Sequence, residues 1–215
     1  MQLNEVSRTF FERTAALETR DVAAAMRAIV TNPNDSAASA VLSANPRYNS
    51  MLRTTCVATR LAGGHAYNAL PQTAAANVNC RIVPTQSANE VRETLVRVLA
   101  DTGLRITATF PNFPIPPSAP PSPLSAEIID PITEITHAMF GANVVVIPVM
   151  STWATDGYSL RAAGIPTYGV NGIFVDPNDI RMHGRDERLL VRSFYEGQEF
   201  LHRLVGRLAG GSLTP

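Results

Sequence analysis

Ala74-Ala-Ala-Asn-Val-Asn-Cys-Arg-Ile82 alternates in character along its length: Ala76, Val78, Cys80 and Ile82 fall on one face, Asn77, Asn79 and Arg81 on the other. A period of two marks a β-strand with one covered face. Just before it, Leu52-Arg-Thr-Thr-Cys-Val-Ala-Thr-Arg-Leu61 is rich in Thr and Val and reads as a second strand. The loop Gly63–Gln72 joins them. Just after it, Ser87-Ala-Asn-Glu90 is a capping box. The helix it opens carries Val91, Leu95, Val98 and Leu99 on one side, and Gly103 is placed to end it. Leu104, Ile106, Ala108 and Phe110 then alternate with Arg105, Thr107 and Thr109, predicting another strand.

Before the first strand, Asn4 to Val30 has no internal Gly or Pro and carries Val6, Phe10, Phe11, Ala15 and Leu17, then Val22, Met26, Ile29 and Val30, as an apolar stripe. It predicts one helical stretch. Thr31 to Asn49 holds Asn, Asp, Ser and Pro around a short apolar piece and yields no assigned element. The order helix–strand–strand–helix–strand is a ferredoxin-like split βαβ unit lacking its first strand.

Seven of the 16 prolines lie between Pro111 and Pro123. Such a stretch resists helix and ladder pairing alike and favours extended polyproline geometry, so it reads as a linker. Beyond it, Asp130-Pro131 predicts a helix start, with Ile132, Ile135 and Met139 on the buried side. Asn143-Val-Val-Val-Ile-Pro-Val-Met150 and Ile165-Pro-Thr-Tyr-Gly-Val170 are apolar runs of the kind that form strands covered on both faces. A last helix is expected from about Glu187 to Leu208. The predicted organisation is a partial lid domain over 1–110, a linker over 111–125 and an incomplete α/β portion over 126–215.

The chain has 215 residues, 18 basic and 18 acidic side chains and no net charge. That neutrality argues against a nucleic-acid binder. No run of eighteen apolar residues predicts a membrane span, and the first residues lack the order of a signal peptide. The localisation therefore stays open. Cys56 and Cys80 are too few for a disulfide framework or a closed structural zinc site. A hairpin register would bring them close, but directly opposed strand cysteines seldom meet disulfide geometry, so both are expected free.

No two of the four histidines stand at metal-ligand spacing, and H-E-x-x-H, G-x-S-x-G and G-x-G motifs are absent. His137 and His202 lie in predicted helices and read as surface or packing residues; His65 reads as a loop residue. His183 lies in a polar loop, Asp176-Pro-Asn-Asp-Ile-Arg-Met-His-Gly-Arg-Asp-Glu187, between a buried-type strand and a helix, where α/β sheets place their sites. One histidine cannot hold a metal by itself. Arg81, on the strand face away from the helices, is suited to grip a carboxylate, or is an ordinary exposed sheet arginine. Ser151-Thr-Trp-Ala-Thr-Asp-Gly157 is small and polar, as a substrate-contacting loop would be.

Four segments together resemble one family, the co-catalytic metallopeptidases of the acetylornithine deacetylase, succinyl-diaminopimelate desuccinylase and glutamate carboxypeptidase type. Asn68-Ala-Leu-Pro71 is similar to its N-x-I-P turn, and Ala76-Asn-Val-Asn-Cys-Arg81 to the strand that follows. Thr155-Asp-Gly157 with Ala163-Gly-Ile-Pro166 resembles its T-D-A/G…G-I-P segment, and Met182-His-Gly-Arg-Asp-Glu187 its final A-H-x-x-N-E motif.

The resemblance implies an amide-cleaving hydrolase with two zinc ions, acting on a peptide or N-acyl amino acid, with a ferredoxin-like lid that supplies substrate contacts and the dimer interface. It implies a metal-ligand role for His183. It implies contact of Asn68 and Arg81 with a substrate carboxylate or developing oxyanion, and a pocket lined by Thr155, Asp156 and Gly157. The family's H-x-D motif, bridging aspartate and adjacent glutamates have no counterpart here, nor has the lid's first strand. The chain is therefore expected to be the carboxyl-terminal part of such an enzyme, with no tight zinc binding and no catalysis on its own. The alternative is a self-standing lid-fold module for binding or oligomerisation. Either way, uncovered strand edges and apolar faces predict a homo-oligomer, or a complex with an amino-terminal half.

Overall fold

The computed structural model describes residues 1–109, 119–176 and 179–210. The chain divides into two compact units, one of residues 1–122 with 148–166, the other of 123–147 with 167–215. The whole is α+β: eight helices and a two-stranded antiparallel sheet among the described residues.

The first unit opens with four helices. In α1 (Glu5–Thr14) Asn4 is the N-cap: its side chain accepts from the Ser7 N–H at 2.9 Å, while Ser7 Oγ accepts from the Asn4 N–H at 3.0 Å. The expected single helix over Asn4–Val30 is two, because Leu17 N–H turns back to the Thr14 carbonyl and Thr19 goes extended before α2 (Arg20–Thr31). Arg8 on α1 donates to the Val30 carbonyl at the end of α2, 2.6 Å away, so the two helices run side by side in opposite senses. One unbroken helix could not fold its own stripe against itself; the break lets Phe10 and Phe11 bury alongside Met26 and Ile29.

Two more helices occupy the stretch left unassigned from sequence: α3 (Ser36–Ser43) and α4 (Pro46–Leu52). Its polar punctuation is capping chemistry. Asp35 accepts from the Ala38 N–H and Asn45 from the Arg47 N–H, both at 2.9 Å, with Pro46 in the first turn. Phe11, Met26, Ile29, Leu42, Met51 and Leu52 are all fully buried in this cluster. Tyr48 packs on Phe10 and Phe11 with ring centroids 6.2 Å away, and its hydroxyl donates to Glu18.

Strands β1 (Thr55–Gly63) and β2 (Ala74–Arg81) pair antiparallel, Cys56 opposite Cys80 and Gly63 opposite Ala74. The cysteines are not free as expected from sequence; they form a disulfide. Their Cα atoms are 4.1 Å apart. That spacing marks a non-hydrogen-bonded pair, where opposed side chains approach most closely. A bulge between Ala58 and Arg60 shifts the alternation so that Leu61 falls opposite Ala76.

After the hairpin, the capping box stands as read: Ser87 accepts from the Glu90 N–H, and the Glu90 carboxylate accepts from the Ser87 N–H at 2.6 Å. The helix α5 (Ala88–Leu99) ends at Ala100, itself left-handed at φ 49°, rather than at Gly103. Gly103 instead donates to Asp101 within the next turn. Residues 104–109 form no ladder; Arg92 of α5 holds the Ile106 carbonyl at 3.1 Å. Phe110 and most of the proline stretch lie outside the described residues. Alternation specifies two faces, but a strand also needs a neighbour to bond, and none is supplied there among the described residues. The first unit ends with α7 (Gly157–Ala162).

In the second unit, α6 (Ala126–Phe140) and α8 (Val191–Leu208) meet through Ile132, Ile135, Phe200 and Leu204, with Val146 and Val170 packed against them. The helix α6 begins at Ala126 behind Ser125, so Pro131 is inside it rather than in its first turn, removing one donor from the ladder. Gly197 is needed on α8: a Cβ there would come within 2.4 Å of Ile173. The runs 143–150 and 165–170, expected as strands, carry no ladder. Their apolar character supplies core contacts for Val146 and Val170 without any partner strand.

Candidate functional site

The hairpin carries two of the residues singled out from sequence, at opposite ends. Asn68 lies in the exposed loop between Gly63 and Ala74, and Arg81 is the last residue of β2, opposite Thr55. Seven residues of strand separate that loop from Arg81, roughly 20 Å or more at about 3.3 Å per residue. Within this unit the two do not converge on one ligand atom. Arg81 is exposed and forms no ion pair among the described residues, leaving its guanidinium available to an anion. Tyr67 and Leu70 project beside Asn68 at the loop, almost wholly in solvent.

Thr155, Asp156 and Gly157 form the turn that opens α7. The Thr155 carbonyl accepts from Tyr158 at 3.1 Å and the Asp156 carbonyl from Ser159 at 3.0 Å. Gly157 is buried, and Thr155 and Asp156 are exposed.

His183, in the second unit, has left-handed backbone at φ 63°. The turn is closed by the Gly184 N–H on the Arg181 carbonyl at 2.9 Å, and a Cβ at Gly184 would sit only 2.9 Å from that oxygen. Glycine after the histidine is thus a steric requirement of the turn. Around it runs a charged network that sequence reading missed. Asp179 accepts from Arg181 Nε at 2.5 Å, and from Arg188 Nε and Nη2 at 2.8 and 2.6 Å. Arg181 also pairs with Asp186. The hydrogen bonds from Arg181, then those from Arg188, hold the Asp179 carboxyl below the usual carboxylate range. The signal was present in the interspersed opposite charges of Asp179, Arg181, Arg185, Asp186, Glu187 and Arg188. Residues 182–186 are turns and bends and 187–190 form no helix, with Leu190 as the extended N-cap, so α8 starts at Val191 and not at Glu187.

This donor set bears on the zinc expected from the resemblance. Among the described residues no three His, Cys, Asp or Glu side chains group as metal ligands. Asp179 and Asp186 are committed to arginines, and both cysteines to each other. His183 offers one imidazole, and the described residues around it do not fit a two-metal centre. No helix among them is long and apolar enough to cross a membrane.

Comparison with known proteins gives these residues a context. Residues 19–107 match the peptidase dimerisation domain. The chain is 28% identical over 162 residues to human N-fatty-acyl-amino acid synthase/hydrolase PM20D1, covering 75% of this chain and 32% of that protein. It is 28% identical over 174 residues to human aminoacylase-1, covering 81% and 41%. A probable carboxypeptidase S-like 2 of Dictyostelium discoideum is 27% identical over 168 residues, covering 78% and 32%. The chain thus spans about a third to two fifths of the length of these relatives. No solved structure matches it. These matches bear out the resemblance to the metallopeptidase family, whose dimerisation domain residues 19–107 match.

Proposed function

We propose that this chain serves as the dimerisation lid and closing segment of a metal-dependent amide hydrolase of the carboxypeptidase or N-acyl-amino-acid deacylase type. The match of residues 19–107 to the peptidase dimerisation domain, beside relatives named N-fatty-acyl-amino acid synthase/hydrolase and aminoacylase-1, supports the reading. Residues 1–110 are the lid, 111–125 the linker and 126–215 the catalytic-domain segment. His183 is one metal ligand. Arg81 and Asn68 contact the substrate carboxylate or the oxyanion, each in the site its own end of the hairpin reaches, and Thr155, Asp156 and Gly157 line the pocket. The remaining zinc ligands and the general base come from polypeptide equivalent to the part of the relatives that this chain does not span. The single imidazole at His183 and the arginine-bound carboxylates near it support that division.

Two measurements test it. The 215-residue chain, incubated with N-acyl amino acids or dipeptides with and without zinc or cobalt, is expected to show no metal-stimulated cleavage. Metal-stimulated turnover by the chain alone overturns the division of labour. Light scattering at micromolar concentration is expected to find a dimer or larger assembly. A single 23.2 kDa species that unfolds cooperatively removes the association half of the reading.

A further inference from the structure

We propose that the Cys56–Cys80 bond is a reductant-sensitive lock on the register of the dimerisation hairpin, so that thiol status controls association through its apolar face. The inference rests on the dimerisation reading above. Register in a sheet is normally set by burial, because a one-residue slip moves every side chain to the other face. Here burial sets nothing: Val57 is 62% exposed, Leu61 75% and Val78 43%, and no residue of either strand is buried. Among the described residues neither strand has a second neighbour, so no outer ladder there fixes the pairing.

Register nevertheless decides what this surface presents. Directly opposed residues share a face, so Cys56, Ala58, Val78 and Cys80 lie together. The bulge after Ala58 brings Leu61 opposite Ala76 and onto that same face. The result is one continuous apolar side, while Arg60, Asn77, Asn79 and Arg81 occupy the other. A slip in either strand would mix the two. Polar contacts restrain it only locally: Val83 N–H on Thr54 Oγ1 at the base, and Asn77 on Thr59 at the bulge. The disulfide is a covalent restraint that only this register satisfies.

Cys56 is exposed, so the bond is open to thiol–disulfide exchange. A small dithiol attacks one sulfur to give a mixed disulfide. Its second thiol then displaces the remaining cysteine, leaving Cys56 and Cys80 as two thiols and the reagent as a cyclic disulfide. Two electrons and two protons pass from reagent to protein.

Amide hydrogen exchange over residues 57–62 and 74–79, with and without dithiothreitol, tests the lock, with α1–α4 as the internal reference. Full reduction, verified by two titratable thiols, is expected to speed hairpin exchange at least tenfold and raise the dimer dissociation constant at least tenfold. Exchange in α1–α4 is expected to stay within twofold. The C56V/C80V variant keeps apolar side chains at the pair and is expected to be indifferent to dithiothreitol in both measurements. Hairpin exchange that changes less than twofold on reduction, or equal acceleration in α1–α4, overturns the lock, as do two thiols in the unreduced protein. A chain that is monomeric in both states overturns the link to association and the dimer reading with it, while the exchange ratio still decides the lock.

Discussion

The α1–α4 cluster and the β1–β2 hairpin adjoin in sequence and are built in opposite ways. In the cluster, Phe11, Met26, Ile29 and Leu42 keep no exposed surface, and each helix start but α2's has a side-chain cap. In the hairpin no side chain is buried, and among the described residues the two strands pair only with each other. One region holds its shape by excluding water. The other holds it by backbone bonds, a bulge and one covalent link, and leaves its apolar face free for something else. A folded core followed by an uncovered sheet suits the proposed role in dimerisation: a stable base and a surface open to a second copy.

The sharpest way to break that contrast is to remove one large side chain from the closed region. Phe11→Ala deletes a fully buried ring that packs at 5.3 Å, edge on, against Phe10. A core Phe→Ala change costs about 3–5 kcal/mol. Urea unfolding followed by helix content is expected to show a loss of that size. A loss under about 1 kcal/mol would mean that the cluster is not the stable base described here.

Tyr48 sharpens the same comparison through pH. Burial, then the hydrogen bond to Glu18, pushes its hydroxyl from the ordinary 10.0 up to about 12. The folded state thus holds its proton more tightly than the unfolded chain. Its stabilising contribution is complete below pH 10 and is lost as pH rises from 10 towards 12. The chain contains no lysine, so no side-chain ammonium loses its proton in that window. Burial also pushes the Tyr158 hydroxyl up. Tyr48→Phe is expected to cost about 1 kcal/mol at neutral pH, the net worth of a hydrogen bond. It should also flatten the alkaline fall in stability of the cluster. A wild-type and variant pair with parallel profiles from pH 9 to 12 would exclude the Tyr48 contribution.

How legible each region was from sequence follows the same division. The hairpin strands, the Ser87 capping box and the buried faces of Phe10, Met26, Ile132, Ile135 and Leu204 come from periodicity, which is local and visible in one chain. The caps Asp35 and Asn45 were visible too, but punctuation of that kind serves loops and helix starts alike, and the deciding fact was the packing of Leu42 and Met51. The runs 143–150 and 165–170 have the composition of covered strands, yet composition cannot supply a neighbour to bond. Cys56 and Cys80 were placed near each other by register; that the pair sits at the narrow spacing depends on hydrogen-bond phase, which alternation does not reveal. The roles of Asn68, Arg81, Thr155, Asp156, Gly157 and His183 came from motif resemblance. The Asp179 network beside His183, with its interspersed opposite charges, was legible in principle and went unread.

The smallest effect on stability is expected where the effect on association is largest. Leu61 is 75% exposed, and it reaches the apolar side of the hairpin only because of the bulge after Ala58. Leu61→Ser removes no buried contact, so the unfolding free energy of the α1–α4 cluster should stay within about 0.5 kcal/mol of wild type. In an assembly formed through that face the same side chain becomes buried, and a leucine taken out of water contributes on the order of 1.5–3 kcal/mol. The dimer dissociation constant is therefore expected to rise by roughly ten- to a hundredfold, each factor of ten being about 1.4 kcal/mol. Val57→Ser is the matched control. It lies one residue from Cys56, on the opposite side, and is 62% exposed, so it removes comparable apolar surface from the face predicted to stay in solvent. Sedimentation of the two variants at a common concentration separates the faces. Equal weakening by both, or by Val57→Ser alone, would show that the bulge-built apolar side is not the surface through which the chains meet.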